Sequence, residues 1–300
     1  MRRVFLLLVL IPALACRPKP PPPVVAVYGG ALMSTSVLVA RLAENAAPLR
    51  TLWARHDFAV TVLDRNDKPR SFDGDGVLLL RKPPAGSAAG TPVEVRLQGS
   101  KDVMGQVFDL GANRERAWLT LLADIDTMYW LPQGAEVAAT KPGEATIPAR
   151  PDLVADVLGI ADWGTDLTQY PTPVLRYDSA ADAYVLTFIQ SAPDGLSLVT
   201  RREVHVDRAS LKVVRVLLFS PDGRVAVRSE LGRHAALSPT NPALVPTDIV
   251  MSFPQSKATI RLTLRNMQAS RNNLPGDVSF RFPSPPPVAN VVRLGEVGGK

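Results

Sequence analysis

Residues 211–231 read LKVVRVLLFSPDGRVAVRSEL, and this stretch decides the fold class. Two runs in which apolar and polar residues alternate lie on either side of Pro221-Asp222-Gly223. A period of two is typical of a strand with one buried face. A Pro-Asp-Gly triplet favours a turn, because proline presets φ and glycine accepts positive φ. The stretch therefore predicts an antiparallel β-hairpin.

Strand-like segments of the same kind recur in both directions from this hairpin. They cover residues 57–63, 77–80, 93–98, 107–110, 116–122, 127–131, 175–177, 184–190, 198–206, 247–253 and 259–267. Residues 34–56 and 151–160 have helical spacing instead, and Pro48 is expected to break the first of these helices. The tetrad Asp73-Gly74-Asp75-Gly76 is expected to form a hairpin turn or a bulge.

The order of these segments predicts the architecture. A helix, a run of strands, a second helix and a second run of strands favour one large, strongly curved antiparallel sheet with helices on its concave side. Two sheets packed as a sandwich are the alternative.

The N-terminal residues MRRVFLLLVLIPALAC contain two arginines, a short apolar stretch and Cys16, the one cysteine of the chain. The apolar stretch is shorter than the about 20 residues that a membrane-spanning helix needs, and it has the length of a secretory signal. Residues 13–16, Ala-Leu-Ala-Cys, resemble the lipobox of bacterial lipoproteins, with Ala13 where leucine is usual. The resemblance implies cleavage before Cys16 and an N-acyl diacylglycerol on this cysteine, with no other cofactor. An ordinary cleaved signal with an incidental cysteine is the alternative.

Four regions follow from this interpretation. We expect a signal peptide at 1–15, a lipid-anchored proline-rich linker at 16–33, a β-domain at 34–294 and a tail at 295–300. A run of prolines such as 20–23 adopts a semi-rigid, extended polyproline II conformation and would hold the body away from a membrane.

Composition narrows the range of partners. Loss of Arg2 and Arg3 with the signal leaves 32 Lys and Arg against 28 Asp and Glu, a net charge of +4. The basic residues are scattered and form no stripe with aromatic residues, so no nucleic-acid partner is expected. A single cysteine cannot form an intramolecular disulfide.

Five segments, taken in their order, resemble the LolA/LolB family, which comprises the periplasmic lipoprotein carrier and its outer-membrane receptor. They are residues 38–64, 72–83, 93–121, 203–231 and 260–285. The resemblance implies an α+β, mainly antiparallel β fold, an incomplete (half-open) β-barrel of about ten or eleven strands with helices over the concave face. It also implies an apolar cavity between the two.

Two sets of site residues follow from this resemblance. The expected ligand-binding positions alternate along two strands, and they are Val93, Val95, Leu97, Ile260, Leu262 and Leu264. If they face an open pocket, ligand binding is favoured, whereas bulky side chains closing the pocket would favour a structural role. The turn 100–106 would carry an exposed membrane or transfer residue, Val103 or Met104, and packing of Met104 on the hairpin is the alternative.

Residue patterns typical of catalysis or metal binding are not found. His56, His205 and His234 lie far apart, and His205 is expected to be a solvent-facing strand residue. There is no metal-ligand spacing, no nucleophile elbow and no phosphate-binding glycine loop.

These observations predict a binding protein and not an enzyme. We expect a monomeric lipoprotein on the periplasmic face of the outer membrane that binds an acyl chain or a lipoprotein, with a receptor or transfer role. A structural or interaction lipoprotein that binds a protein or polymer with its curved sheet is the alternative.

Overall fold

The structure is a computed structural model, and it describes residues 28–63, 67–84, 91–102, 105–122, 126–133, 153–164, 166–192, 195–269, 277–284 and 288–293. Of these residues, 59% are in strands. The helices are α1 Thr35–Ala46 and α2 Val154–Val157. The strands are β1 Thr51–Leu63, β2 Pro69–Arg81, β3 Glu94–Lys101, β4 Gly105–Ala112, β5 Arg116–Leu121, β6 Thr127–Pro132, β7 Thr172–Asp178, β8 Ala183–Ser191, β9 Leu198–Asp207, β10 Val213–Phe219, β11 Val225–Ser238, β12 Asn241–Phe253, β13 Ala258–Gln268 and β14 Asn290–Arg293.

All of these strands form one open sheet. Its order is β14-β6-β5-β4-β3-β2-β1-β13-β12-β11-β10-β9-β8-β7. The pairs are antiparallel except for β14, which runs parallel to β6. Cα atoms of β11 and β13 approach within 8 Å although β12 lies between them. Two flat strand spacings are about 9.6 Å, so the sheet bends at β12.

One face of the sheet carries the larger apolar core, and we call it the inner face. Alternate residues of a strand point to opposite sides, and the register aligns the buried positions of neighbouring strands. Leu78 is opposite Leu97, and Phe58 is opposite Leu262. The main core lies on this face.

The fold class predicted from the sequence is confirmed in its main feature, a mostly antiparallel β-sheet. The predicted number of strands is wrong, since the described residues contain 14 strands in a single sheet and not ten or eleven. The number ten or eleven was implied by the family resemblance, whereas the strand-like segments in the sequence number 13 and correspond to β1 to β13. The strand without such a segment is β14, whose four residues are all exposed and so have no buried face. The helical cover is also smaller than predicted, because α2 has only four residues. The sandwich alternative does not occur.

The first helix ends just before Pro48, the residue predicted to break it, and does not resume beyond it. The Ser34 side chain caps its start by accepting a hydrogen bond from the Val37 amide. Serine is among the residues most often found at this position of a helix. The helix ends at Ala46, and strand β1 already begins at Thr51 and not at residue 57. Residues from Thr51 onward pair with β2 along the whole strand. This nonlocal pairing overrides the local helical spacing of residues 49–56.

The second helix is also shorter than the predicted 151–160, of which 151 and 152 lie outside the described residues. It is followed by Gly159 with φ +67°. An added Cβ at Gly159 would lie 2.8 Å from Cγ1 of Val213. Glycine therefore serves two purposes here, since it accepts left-handed backbone and allows close approach to β10.

The Asp-Gly-Asp-Gly tetrad is neither a turn nor a bulge, which corrects the sequence interpretation. It lies within β2, in register with β1. An added Cβ at Gly74 would lie 2.8 Å from the Phe58 ring, and one at Gly76 would lie 2.8 Å from the His56 ring. Glycine inside a strand often marks the close approach of another group, and here two rings of β1 occupy the missing Cβ positions.

The first described residues are attached to the lower end of the sheet, which we define by the β7–β8, β9–β10 and β11–β12 turns. The Tyr28 amide donates to the Asp182 carboxylate. Met33 N–H donates to Tyr184 Oη at 3.0 Å, and Arg208 donates to the Gly30 carbonyl at 2.6 Å. The chain therefore enters the body at this end. The β3–β4 and β8–β9 turns lie at the opposite, upper end.

A C-terminal segment, residues 277–284, packs on the outer face over β3 to β6. Phe280 in its 3₁₀ turn is 1% exposed. Arg96 donates to the Ser279 carbonyl at 3.1 Å. The Phe282 ring lies edge-on to Trp118, with centroids 5.7 Å apart. This segment forms a second, smaller apolar cluster on the side opposite the main core.

Candidate ligand-binding site

The six residues predicted to line a cavity all belong to the inner-face core. Their exposed fractions are 1% for Val95, 6% for Leu97, 3% for Leu262 and 4% for Leu264, and Val93 and Ile260 are half-buried. Strands β3 and β13 are separated by β2 and β1, so the two groups lie about 14 Å apart across the sheet. In this structure the inner-face side chains are covered by other parts of the chain.

The covering elements are α1 and residues 153–164, which we call the cover. Helix α1 buries Leu38, Val39 and Leu42 in the main core. The Asn45 amide group fixes the helix to β12, since it donates to the Leu244 carbonyl at 3.1 Å and accepts from the Leu244 N–H at 2.7 Å. The other part of the cover contributes Ala155, Val157, Leu158, Ile160 and Trp163 to the same core.

One charged contact fastens the cover to β9. Arg202 lies on the inner face and forms an ion pair with Asp156, and their side chains are 11% and 16% exposed. The Arg202 guanidinium also lies 4.2 Å from the Phe188 ring centroid and 5.1 Å from that of Trp163. A cation placed over aromatic faces is stabilised by the ring quadrupole. Arg202 therefore bridges the cover and the sheet.

A second charged contact fastens the cover beside the end of β2. Lys82 Nζ lies 2.8 Å from Asp162 Oδ1, and the Lys82 side chain is fully buried. The same ammonium donates to the Ala46 carbonyl at the end of α1, at 3.2 Å. Burial lowers the pKa of Lys82, and the Asp162 carboxylate opposes this shift. Lys82 thus joins both parts of the cover to the sheet.

His56 is a buried polar group at the centre of the inner face. It is 1% exposed, and its Nε2 lies 3.0 Å from the Gln98 carbonyl. Its Nδ1 has no hydrogen-bond partner among the described residues. Burial lowers the pKa of His56, although the Gln98 carbonyl and nearby Asp57 work in the opposite direction. The imidazole is therefore neutral near pH 7.

This lowered pKa predicts destabilisation in mild acid. Between the lowered pKa of His56 and its ordinary value of 6.5, the unfolded chain binds more protons, so the free energy of unfolding falls as the pH falls through that window. Denaturant unfolding at several pH values between 7.5 and 5 should show a smaller fall for His56→Gln than for wild type. His234, whose pKa is also lowered by burial, makes His234→Gln the comparison variant. A constant difference between wild type and His56→Gln at every pH would contradict this assignment.

A cleft of about 160 Å³ lies between the cover and the lower ends of β10, β11 and β12. Its apolar walls are Leu42, Trp163, Leu211, Val213, Leu244 and Pro246. Its polar lining consists of Arg41, Asn45, Ser210, Lys212 and His234. None of the six predicted ligand-binding residues lines this cleft. The cleft was not foreseen from the sequence, because its walls come from three distant parts of the chain.

Three predicted site residues, Cys16, Val103 and Met104, lie outside the described residues. The sequence interpretation also passed over Leu196, which is 91% exposed at the β8–β9 turn. An apolar residue placed directly after Pro193-Asp194-Gly195 was a signal that could have identified it. Leu196 lies at the upper end, opposite the end where the chain enters.

His56 and His205 have different surroundings. His56 faces the inner side, whereas the neighbouring Asp57 side chain pairs with Arg265 on the outer face. His205 is 6% exposed and not solvent-facing as predicted, because its ring packs beside Glu203, whose Oε1 lies 2.7 Å from Nε2. Among the described residues, no three His, Cys, Asp or Glu side chains are placed to hold a metal ion. None of the described helices has the length and hydropathy needed to cross a membrane.

Comparisons with known proteins bear on the fold. No protein-family model and no curated protein matches the sequence. A putative outer membrane lipoprotein-sorting protein domain from Vibrio parahaemolyticus has a similar structure, with a TM-score of 0.50 and 11% identity over 82% of this chain and 98% of that one. A DUF1329 family protein from Desulfovibrio piger gives a TM-score of 0.49 at 11% identity, covering 82% of this chain and 97% of that one. A LolA superfamily protein from Nitrosomonas europaea gives 0.45 at 13% identity, covering 81% and 97%. The chain therefore has the fold of the Vibrio parahaemolyticus domain, which confirms the resemblance seen in the sequence at the level of the fold.

Proposed function

We propose that this chain is a membrane-anchored lipoprotein of the bacterial envelope that binds an acyl chain or a lipoprotein between its inner face and its cover. In this proposal residues 1–15 are the export signal, Cys16 carries the lipid, and 16–33 form the spacer before the β-domain. The protein would act as a receptor or in transfer at the periplasmic face of the outer membrane, without catalysis.

The observation that carries the proposal is the cleft between the cover and the sheet. Apolar side chains from three parts of the chain line it together with a few polar groups, and small-molecule sites combine the same two kinds of lining in a larger volume of about 300 to 1,000 Å³. The cleft has room for only a few carbon atoms, since a cavity of about 150 Å³ holds one benzene molecule. A longer chain therefore requires the cover to move away from the inner face.

The two ion pairs that attach the cover to the sheet are consistent with such a movement. Arg202–Asp156 and Lys82–Asp162 are ion pairs at the border of the cover. Removing one partner of such a pair loosens the cover without opening the apolar core of the sheet itself. The predicted ligand-binding residues on β3 and β13 lie beneath other parts of the chain and would be reached only in the open state.

An experiment on the full chain carrying Cys16→Ser, purified without detergent, tests this function. Native mass spectrometry should detect a co-purifying lipid or acylated peptide, and decanoic acid should displace an environment-sensitive apolar dye. Arg202→Gln should increase dye binding about 10-fold, because loss of a charge-assisted contact shifts the cover toward its open state. The matched control is Arg228→Gln, which breaks the exposed Arg228–Glu230 pair away from the cover and should change nothing. If native mass spectrometry detects only the protein without a ligand, and decanoic acid does not displace the dye, the proposal is wrong.

A second candidate is an interaction lipoprotein whose sheet binds a protein or polymer. The observation that favours it is the dense packing of the inner face beneath the cover, together with exposed apolar side chains toward the upper end. Leu196 is 91%, Leu198 56% and Tyr170 57% exposed. If the native mass is clean and Leu196→Ser abolishes capture of an envelope protein or polymer, this second function replaces the first.

A further inference from the structure

The cleft has an unequal charge distribution. Arg41 of α1 lines it from the cover and Lys212 of the β9–β10 turn lines it from the sheet, and none of the described Asp and Glu residues lines it. Arg41 Nη1 also lies 3.0 Å from Glu44 Oε2, but that carboxylate is 64% exposed. Lys212 takes part in none of the ion pairs given by the described residues. Arg41, whose side chain is 58% exposed, is therefore paired with Glu44 at the surface, whereas Lys212 brings to the cleft a positive charge that no ion pair among the described residues balances.

The backbone holds Lys212 in a fixed position. The Asp207 amide donates to the Lys212 carbonyl at 2.9 Å. The Asp207 carboxylate accepts from the Ser210 N–H at 2.7 Å and from the Ser210 hydroxyl at 2.5 Å. Leu211 has φ +54°, a left-handed conformation that is unusual for a branched residue and that the surrounding structure must enforce. This turn places Leu211 and Lys212 side by side at the cleft.

The third basic group, His234, lies half-buried on the β11 side of the cleft. Burial and the nearby Lys212 ammonium both lower the pKa of His234. A hydrogen bond with the Val213 backbone opposes this shift. The imidazole is therefore neutral near pH 7 and adds no charge of its own to that of the two cations. Apolar Leu42 and Trp163 form the wall toward the cover. A polar anchor thus lies directly beside an apolar surface.

We propose that this cleft binds the anionic head group, a carboxylate or a phosphate, of an amphiphile whose first carbon atoms pack against Leu42 and Trp163. Arg41 and Lys212 provide charge-assisted hydrogen bonds from the cover and from the sheet. The proposal rests on the proposed function and specifies its ligand class, because a head group fixed here directs the tail under the cover. A neutral amphiphile of the same length lacks this anchor.

The test uses the full chain carrying Cys16→Ser and three probes with equal tails, namely decanoate, decyl phosphate and 1-decanol, by isothermal titration calorimetry. We expect at least one of the two anions to bind about 10-fold more tightly than decanol. Comparison of decanoate with decyl phosphate distinguishes a fatty acid from a phospholipid-like head group. Lys212→Gln should remove most of the preference for the anion and leave decanol binding unchanged. Lys257→Gln is the matched control, since Lys257 is an exposed turn lysine with left-handed φ of +53° on the β12–β13 turn.

The outcomes separate this inference from the proposed function. Equal binding of all three probes overturns the anion site and leaves apolar binding intact. Binding of none of them overturns both. An equal loss of anion and decanol binding in Lys212→Gln also overturns the anion site, because it indicates damage to the cleft itself. Circular dichroism of Lys212→Gln at the titration temperature checks that the variant is folded.

Discussion

Gly76→Ala is expected to lower the free energy of unfolding by about 3 kcal/mol, near the upper end of overpacking effects. The new Cβ would lie 1.9 Å from the Gln98 carbonyl oxygen and 2.8 Å from the His56 ring. The first neighbour is backbone of β3 and the second is a buried ring, so neither can move away cheaply. The strain would fall at the centre of the sheet, where β1, β2 and β3 pair.

Chemical denaturation with circular dichroism measures this effect, and the melting temperature should fall by roughly 6 to 12 °C. Gly164→Ala is the matched control. No atom beyond its chain neighbours lies within 4 Å of an added Cβ at Gly164, so its effect should stay within about 0.5 kcal/mol. Equal effects of the two substitutions would show that backbone entropy, and not close approach, determines the cost at Gly76.

Cys16→Ser is expected to move the protein completely from the membrane fraction to the soluble fraction. Each buried CH₂ group contributes about 0.8 kcal/mol to membrane attachment, and stable anchoring needs more than one chain. A lipidated Cys16 would supply several chains, whereas a serine supplies none. Fractionation and metabolic labelling with palmitate measure the change.

The folded body provides the control for this experiment. The proposal places Cys16 before the β-domain that begins at residue 34, so Cys16→Ser should leave the melting temperature unchanged. Unaltered membrane retention of Cys16→Ser, or palmitate labelling that persists, would contradict lipidation at this position. In that event the anchor fails while the ligand-binding proposal remains open to its own test.

The sequence predicts the apolar strand residues of the candidate site but not its buried charged residues. Alternation of apolar residues placed Val95, Leu97, Leu262 and Leu264 on strands with one buried face, and the structure has them on one face of the sheet. The same alternation cannot tell whether that face meets a ligand or the rest of the chain. Arg202 and Lys82 show the difference, because a charged residue in a strand or at its end is normally solvent-exposed. Only the return of residues 153–164 over the sheet makes both of them buried partners of a carboxylate.

By itself, the sequence determined much of the local structure: the 211–231 hairpin, the break of the first helix at Pro48 and most strand positions. Each depends on neighbouring residues, through the period of two, turn chemistry and the missing amide hydrogen of proline. The tertiary structure alone decided where Gly74 and Gly76 lie, that β1 begins at Thr51, and that Arg41 and Lys212 line the same cleft. These features depend on groups far apart in the chain, and their positions follow from strand register and the closure of the cover, which no local pattern encodes.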